Sequence, residues 1–460
     1  MTPPRSRGLG ARSIVLIGAG STVFTPGLLT DLTSSRTFDE WTLHLVDING
    51  DAAETMGRLG RRIAADQGSG LRIEVHTDRR AALPRANVVV TTIAVGGAIG
   101  WLHDMQVPAH HGITQTVGDS VGPGGVLRAL RHVPELVAIA QDVADLAPDA
   151  WLVNYSNPLT ANVRAITSQT RVRAIGLCHG TMHTRAALAA ELGLPADEVH
   201  AVFAGLNHLS WLLDLRHGTE DLYPRLGEMV AERAGGIDSP STGREGTHQA
   251  VSADLFRTFG LYPAPGDRHV AEFYSWYLRG ADSDHMPWGL QAGRDMTVQY
   301  IGEKAQLWER LHAQADGAEP LPGLRDQEAE RLVAILEALV SGRDSVELAV
   351  NLPNNGKISN LPPEAVVEVP AVVGAGRITG VAVGPMPDAI AAVLTARAAQ
   401  QELTVRAALT GDRRLAIQAI ALDPLVPDPT TAAAVLDDAV VAHAPLMDRF
   451  AKVTMEGEVA

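Results

Sequence analysis

One cysteine in 460 residues, Cys178, excludes an internal disulfide framework. No apolar run approaches the roughly 20 residues that span a bilayer, and Met1 to Arg12 lacks an apolar stretch of signal-peptide length. The sequence therefore predicts a cytoplasmic protein with no membrane role. Basic residues are in deficit: 38 Lys and Arg face 53 Asp and Glu, a formal net charge of -15 that argues against a nucleic-acid-binding surface. A local basic pocket for a small molecule is still compatible with it. Aromatic residues are only 4% of the chain, whereas 46% hydrophobic and 20% charged residues are ordinary globular values that exclude disorder for the bulk of it. The length exceeds one ordinary core and predicts two packed domains, placed at residues 12–200 and 201–455.

What is present begins with Ser13-Ile14-Val15-Leu16-Ile17, a continuous apolar run read as a strand, followed by Gly18-Ala19-Gly20-Ser21 and a helical stretch to about Ser34. The two glycines allow a tight turn and close approach of the backbone to a pyrophosphate. Val23 stands where the dinucleotide fingerprint has its third glycine. A second strand, Thr42 to Val46, ends in Asp47, 27 residues after Gly20. An acid there accepts from both ribose hydroxyls and disfavours a 2′-phosphate, which points to NAD over NADP. Strand-like runs at 72–76, 87–95, 151–153 and 172–177 alternate with helical patterns. The fold class read from them is α/β: a Rossmann-like parallel sheet in the N-terminal domain, with an α+β domain following it.

Polar groups gather where these strands end. The stretch from Gly96 to His111 reads as an active-site loop, and Gly118 to Gly125 reads as either an anion- or sugar-binding loop or a flexible turn. Arg128 and Arg131 after it either meet a charged substrate group or lie on the surface. Asn154 and Asn157 offer paired donors and acceptors for cofactor ribose or substrate hydroxyls. Cys178 follows a buried strand, and His208 lies 30 residues beyond it between two strand-like runs. Taken singly, each is more often a packing residue; a Cys and a His that both end strands can also share a divalent metal ion. Asp267 and Tyr274 lie in and after a turn rich in titratable groups, and a helix is expected from Asp326 to Ser341.

Gly18-Ala19-Gly20-Ser21 with Phe24, Gly118-Asp119 to Gly125, Asn154-Tyr155-Ser156-Asn157-Pro158, Gly176-Leu177-Cys178-His179, Gly205-Leu206-Asn207-His208 and Asn351 through Pro370 form an ordered set. In that set the chain resembles glycoside hydrolase family 4, the NAD- and metal-dependent glycosidases, over nearly its whole length. The resemblance implies a lactate/malate dehydrogenase-like fold and a redox-neutral elimination and addition, an exception to the two-carboxylate glycosidase mechanism. Hydride leaves the sugar 3-carbon for NAD, a base removes the proton on the 2-carbon, the glycosidic oxygen departs, water adds and hydride returns. It further implies Cys178 and His208 as ligands of Mn2+ or another divalent metal, and cofactor contacts from Gly18, Gly20, Ser21, Phe24, Asp47 and Asn157. Asn154, His179 and Asn207 are implied as substrate contacts. Asp267 is the favoured base with Tyr274 second, and Asp119 is a further acid or substrate contact.

His179 after the cysteine resembles members acting on unphosphorylated α-glycosides, and Gly180 is similar to the α-galacturonidase and α-glucuronidase branch. A small residue at 180 is expected to leave room for the carboxylate on the sugar 6-carbon. An α-galactosidase or α-glucosidase of the same family is the alternative, and an NAD-dependent 2-hydroxyacid dehydrogenase is the alternative from another class. The resemblance also implies a homodimer or homotetramer.

Overall fold

Alternation within the short apolar runs sets the architecture. Ile14 and Leu16 enter one buried cluster while Val15 and Ile17 enter another, so the first strand is covered on both faces, as parallel sheets require. Leu28, Leu29, Met56 and Leu59 from two helices close the first face; Leu136, Ile139 and Val143 from a third close the second. The computed structural model describes residues 12–232, 249–282, 284–321 and 331–452.

Six parallel strands, β1 (Ser13–Ile17), β2 (Thr42–Val46), β3 (Arg72–His76), β4 (Val88–Thr91), β5 (Trp151–Asn154) and β6 (Arg173–Gly176), are ordered β3-β2-β1-β4-β5-β6. This is the doubly wound dinucleotide-binding order, with its reversal between β1 and β4. Seven more strands follow: β7 (Val199–Leu206), β8 (Leu209–His217), β9 (Glu220–Asp221), β10 (Tyr262–Ala264), β11 (Ser345–Pro353), β12 (Val366–Gly374) and β13 (Arg377–Gly380). They extend the same sheet in antiparallel fashion from β6 through β11, β12, β7 and β8 to β10. A single sheet thus runs through both expected domains, and a division at residue 200 falls inside β7. Among the described residues, no helix is long and apolar enough to cross a membrane.

One expectation is corrected outright. Gly96 to His111 is not a loop: Gly97–His110 forms a helix that buries Gly100, Asp104, Met105, Val107 and Pro108. Asp104 occupies a core position because Arg131 clamps it with two hydrogen bonds of 2.7 and 2.9 Å, and both side chains are fully buried. Arg131 is therefore neither a substrate contact nor a surface residue. Arg131→Met is expected to destabilise the protein by about 3 kcal/mol, the cost of a buried carboxylate that loses its guanidinium and keeps only His443, 3.1 Å away, read as a fall in the denaturant midpoint. The helix expected from Asp326 is described from Arg331 to Ser341; its first five residues, and residues 453–455 of the second expected domain, lie outside the described residues. The last long helix among the described residues, Pro429–Ala442, ends ahead of Pro445.

Candidate active site

The glycine-rich turn is held by backbone bonds. Gly18 and Ala19 N–H groups both donate to the Val46 carbonyl, 2.9 and 3.1 Å away. Gly18 adopts φ +92°, and a Cβ there would stand 2.8 Å from the Thr92 backbone, so both conformation and space demand glycine. The Gly20 N–H donates to Asp47 Oδ2 at 2.7 Å, and Asn49 N–H donates to Oδ1 at 2.9 Å. Each oxygen keeps a lone pair for a ribose hydroxyl. Ile48 beside it is 98% exposed, an apolar surface next to Asp47. Ser21 Oγ accepts the Phe24 N–H at 3.2 Å, opening the helix Thr25–Ser34. The Phe24 ring lies 5.4 Å from Tyr155 and 6.3 Å from His179, which carries the turn toward the ends of β5 and β6.

At those ends the chemistry-bearing groups meet. Cys178 Sγ lies 3.5 Å from His208 Nε2. His208 occupies the two-residue turn between β7 and β8 at φ +66°, a left-handed conformation that costs a non-glycine residue roughly 1–2 kcal/mol. Its other ring nitrogen is 2.8 Å from Ser120 Oγ and 3.5 Å from Asp119 Oδ1. Ser120 donates to Asp119 Oδ1 at 2.8 Å, and Asn157 Nδ2 donates to Oδ2 at 2.8 Å. Burial alone would raise the Asp119 carboxyl; hydrogen bonding to and the charge of His208, with His269 and Arg128, hold it well below the usual carboxylate range. Burial opposes charge on His208, and the neighbouring Cys178 and Asp119 raise it well above an ordinary histidine. The site favours positive charge between these groups. A small cleft lies alongside, lined in part by Cys178, His179, Tyr155 and Arg331.

His269, which no local pattern in the chain marks out, completes the group. Its ring lies 3.9 Å from that of His208, centroid to centroid, and its Nδ1 is 3.9 Å from Asp119 Oδ1. Burial, with His208 next, lowers it to about 3, so it is a neutral base at pH 7. Pairing of β10 with β8 brings this segment over the turn that carries His208. That contact leaves no local signal in the chain.

Four expected site residues sit elsewhere or do other work. Asp267 is buried, and its carboxylate accepts from Val251 N–H, Ser252 N–H and Ser252 Oγ at 2.8–2.9 Å, holding the start of the helix Ala250–Phe259. Burial pushes it up to about 6. Tyr274 packs among Phe259, Trp276 and Tyr277, with its hydroxyl buried. Asn154 spends its amide on Thr91 and on the Ser156 backbone, so Asn157 is the carboxamide that reaches Asp119. Asn207 donates to Glu368, which also accepts from Ser210 and Asn351 and so ties β7, β8, β11 and β12 together behind the site. Asn207 Oδ1 is a buried acceptor with no donor among the described residues.

Gly180 also has a different reason to be small. A Cβ there would meet Pro265 Cβ at 2.3 Å, so the space belongs to protein packing and not to a substrate carboxylate. Of the two arginines after the glycine-rich loop, Arg128 is the one at the site, donating from Nε to the Asn157 carbonyl at 3.1 Å.

The loop bearing Asp119 hangs on Glu272. This buried carboxylate accepts the N–H groups of Thr116, Val117 and Gly118 at 2.7–2.9 Å. Burial pushes it up to about 7 against those hydrogen bonds. With its folded value above its unfolded one, its contribution to stability is present below about pH 4.5 and lost as pH rises through about 7. Glu272→Gln is expected to flatten that part of the profile, seen as a smaller fall in thermal midpoint from pH 5 to 8 than in the unaltered protein.

Comparison with known proteins gives a consistent pattern. Residues 13–194 match the sequence profile of the family 4 glycosyl hydrolases, and residues 203–426 match that family's C-terminal domain. An α-galacturonidase of Thermoanaerobacterium saccharolyticum is 33% identical over 436 residues, covering 90% of this chain and 91% of that protein. An α-galactosidase of Bacillus subtilis is 29% identical over 415 residues, with 90% and 93% covered. An α-glucosidase of Erwinia rhapontici is 31% identical over 445 residues, with 90% and 94% covered. Among solved structures, a 6-phospho-α-glucosidase from gut microorganisms in complex with NAD and Mn2+ superposes with a TM-score of 0.79 at 20% identity, covering 95% of this chain and 99% of that one. Malate dehydrogenase of Cryptosporidium parvum superposes with a TM-score of 0.50 at 15% identity, covering 87% and 100%. At such identities these two structures speak to the fold alone, which is the expected Rossmann-like parallel sheet with its α+β extension.

Proposed function

The chain belongs to family 4 of the glycosyl hydrolases and is a glycosidase; on that premise we propose that it hydrolyses α-galacturonides, using NAD and a divalent metal ion, Mn2+, as cofactors. The observation that carries this reading is the meeting of Cys178, His208, Asp119 and Asn157 at the carboxyl ends of β5 and β6, where open α/β sheets bind their ligands.

The residues fit both groups. Gly18, Gly20 and Asp47 form the turn and acid that a dinucleotide needs, with exposed Ile48 as an apolar surface for its base. Cys178 and His208 would hold the metal ion, whose charge satisfies the demand that otherwise raises His208. When bound, NAD supplies a hydride acceptor and the metal ion a Lewis acid for the oxidised sugar carbon.

The chain's own groups then position and move protons. Asp119, anionic and oriented by Asn157 and Ser120, holds the imidazoles of His208 and His269 in place, and neutral His269 accepts the proton from the sugar 2-carbon. Arg128 places a cation beside Asp119 and Asn157, within the reach of a substrate carboxylate that Gly180 does not provide. The uronide preference leans on the α-galacturonidase relatives, including the one that is 33% identical. The same reading has the enzyme in the cytoplasm as a homodimer or homotetramer, since a reducing compartment preserves a metal-binding thiol.

The test is hydrolysis of matched aryl α-galacturonide and α-galactoside with NAD, Mn2+ and reductant each omitted in turn. Cleavage of the uronide that needs both cofactors supports the proposal. Turnover of the galactoside with none of the uronide would replace it with an α-galactosidase.

A further inference from the structure

A second group of ligand-type side chains lies outside this site, on the outer strand pair of the parallel half. β2 and β3 pair in register, His44 opposite Glu74 and Val46 opposite His76, so His44, Glu74 and His76 project from one face. The opposite face carries Leu43, Leu45 and Ile73 into the core. His44 Nδ1 is 3.0 Å from His76 Nε2 and 3.4 Å from Glu74 Oε2, and His76 Nε2 is 3.7 Å from the same oxygen.

We propose that His44, Glu74 and His76 form a second, structural metal site that binds a zinc-class ion with water as the fourth ligand. Donor atoms held tetrahedrally at about 2.1 Å stand about 3.4 Å apart, and the three observed separations bracket that edge. Two imidazoles and one carboxylate are a borderline donor set, which selects zinc over calcium or magnesium. Hydrogen bonding explains the cluster less fully: the two ring nitrogens share a single proton between them, and the same Glu74 oxygen faces both.

The position gives the ion a task. The His76 carbonyl accepts the Asp47 N–H at 3.2 Å, and Asp47 in turn holds the glycine-rich turn through Gly20. An ion across His44, Glu74 and His76 fastens the edge strand β3 to the strand that presents this acid.

The test uses the full chain, stripped with a chelator, in a Cys178→Ser/His208→Asn background that disables the other thiol and imidazole pair. Zinc is titrated in competition with a chromophoric chelator, and thermal midpoints are recorded with and without zinc. The expected result is one zinc per chain in that background. Adding His44→Ala, or separately His76→Gln, weakens it at least about tenfold and abolishes the zinc-dependent rise in midpoint. Zinc-free midpoints close to the parent's establish that the variants fold. No zinc bound in the background, or binding unchanged by both added substitutions, overturns the proposal.

Discussion

Cys178→Ser is expected to lower kcat/KM for the glycoside on the order of 10³-fold, because Lewis-acid stabilisation is worth several kcal/mol and about 1.4 kcal/mol is tenfold. Serine keeps the shape of the half-buried side chain and removes only the sulfur. NAD affinity should stay within about twofold, since Cys178 shares no hydrogen bond with Gly18, Gly20 or Asp47 and separated sites add nearly independently. Mn2+ binding, followed by the metal's relaxation of water protons, should weaken in parallel with activity. If Cys178 merely fills space, both quantities survive the change. The sequence alone left that choice open; the 3.5 Å approach of His208 Nε2 to Cys178 Sγ favours the ligand pair.

Asp119→Asn is expected to cost about 10²- to 10⁴-fold in kcat, the range for disabling a positioned proton transfer, because Asp119 holds both His208 and His269. The amide preserves size but carries no charge to hold the two imidazoles, and it sets a donor against Asn157 Nδ2 or Ser120 Oγ. Asp267→Asn should behave differently. Its carboxylate serves two backbone N–H groups and a hydroxyl at a helix start, so the loss is in stability, about 1–3 kcal/mol, with kcat of the folded enzyme kept. The two variants, compared by kcat and by thermal midpoint, separate chemistry from anchoring. An inactive Asp267→Asn enzyme with an unchanged midpoint would return the base to Asp267.

The parallel half of the fold was legible because β1 and β4 are apolar runs buried on both faces and β2 and β3 alternate apolar with polar residues, signals that need no knowledge of neighbours. The acid at Asp47 followed from the end of the second run. Val23, which breaks the glycine fingerprint, is 59% exposed, so nothing packs where the third glycine would be needed. The helix at Gly97–His110 was hidden because its buried face includes Asp104, whose partner Arg131 comes from the next helix. Gly180 misled for a related reason: the atom that forbids a larger residue belongs to Pro265, 85 residues away. His269 is brought onto His208 only by the pairing of β10 with β8. In each case the missing information is a contact between distant segments, which local periodicity does not encode.

The most direct measurement is cleavage of an α-galacturonide in deuterium oxide with catalytic amounts of NAD and Mn2+, reading the product by mass and by proton resonance at the sugar 2-carbon. Proton removal there by a residue open to exchange predicts one deuterium at that carbon, with no net accumulation of NADH. Product free of deuterium, formed at the same rate when NAD is left out, would contradict it.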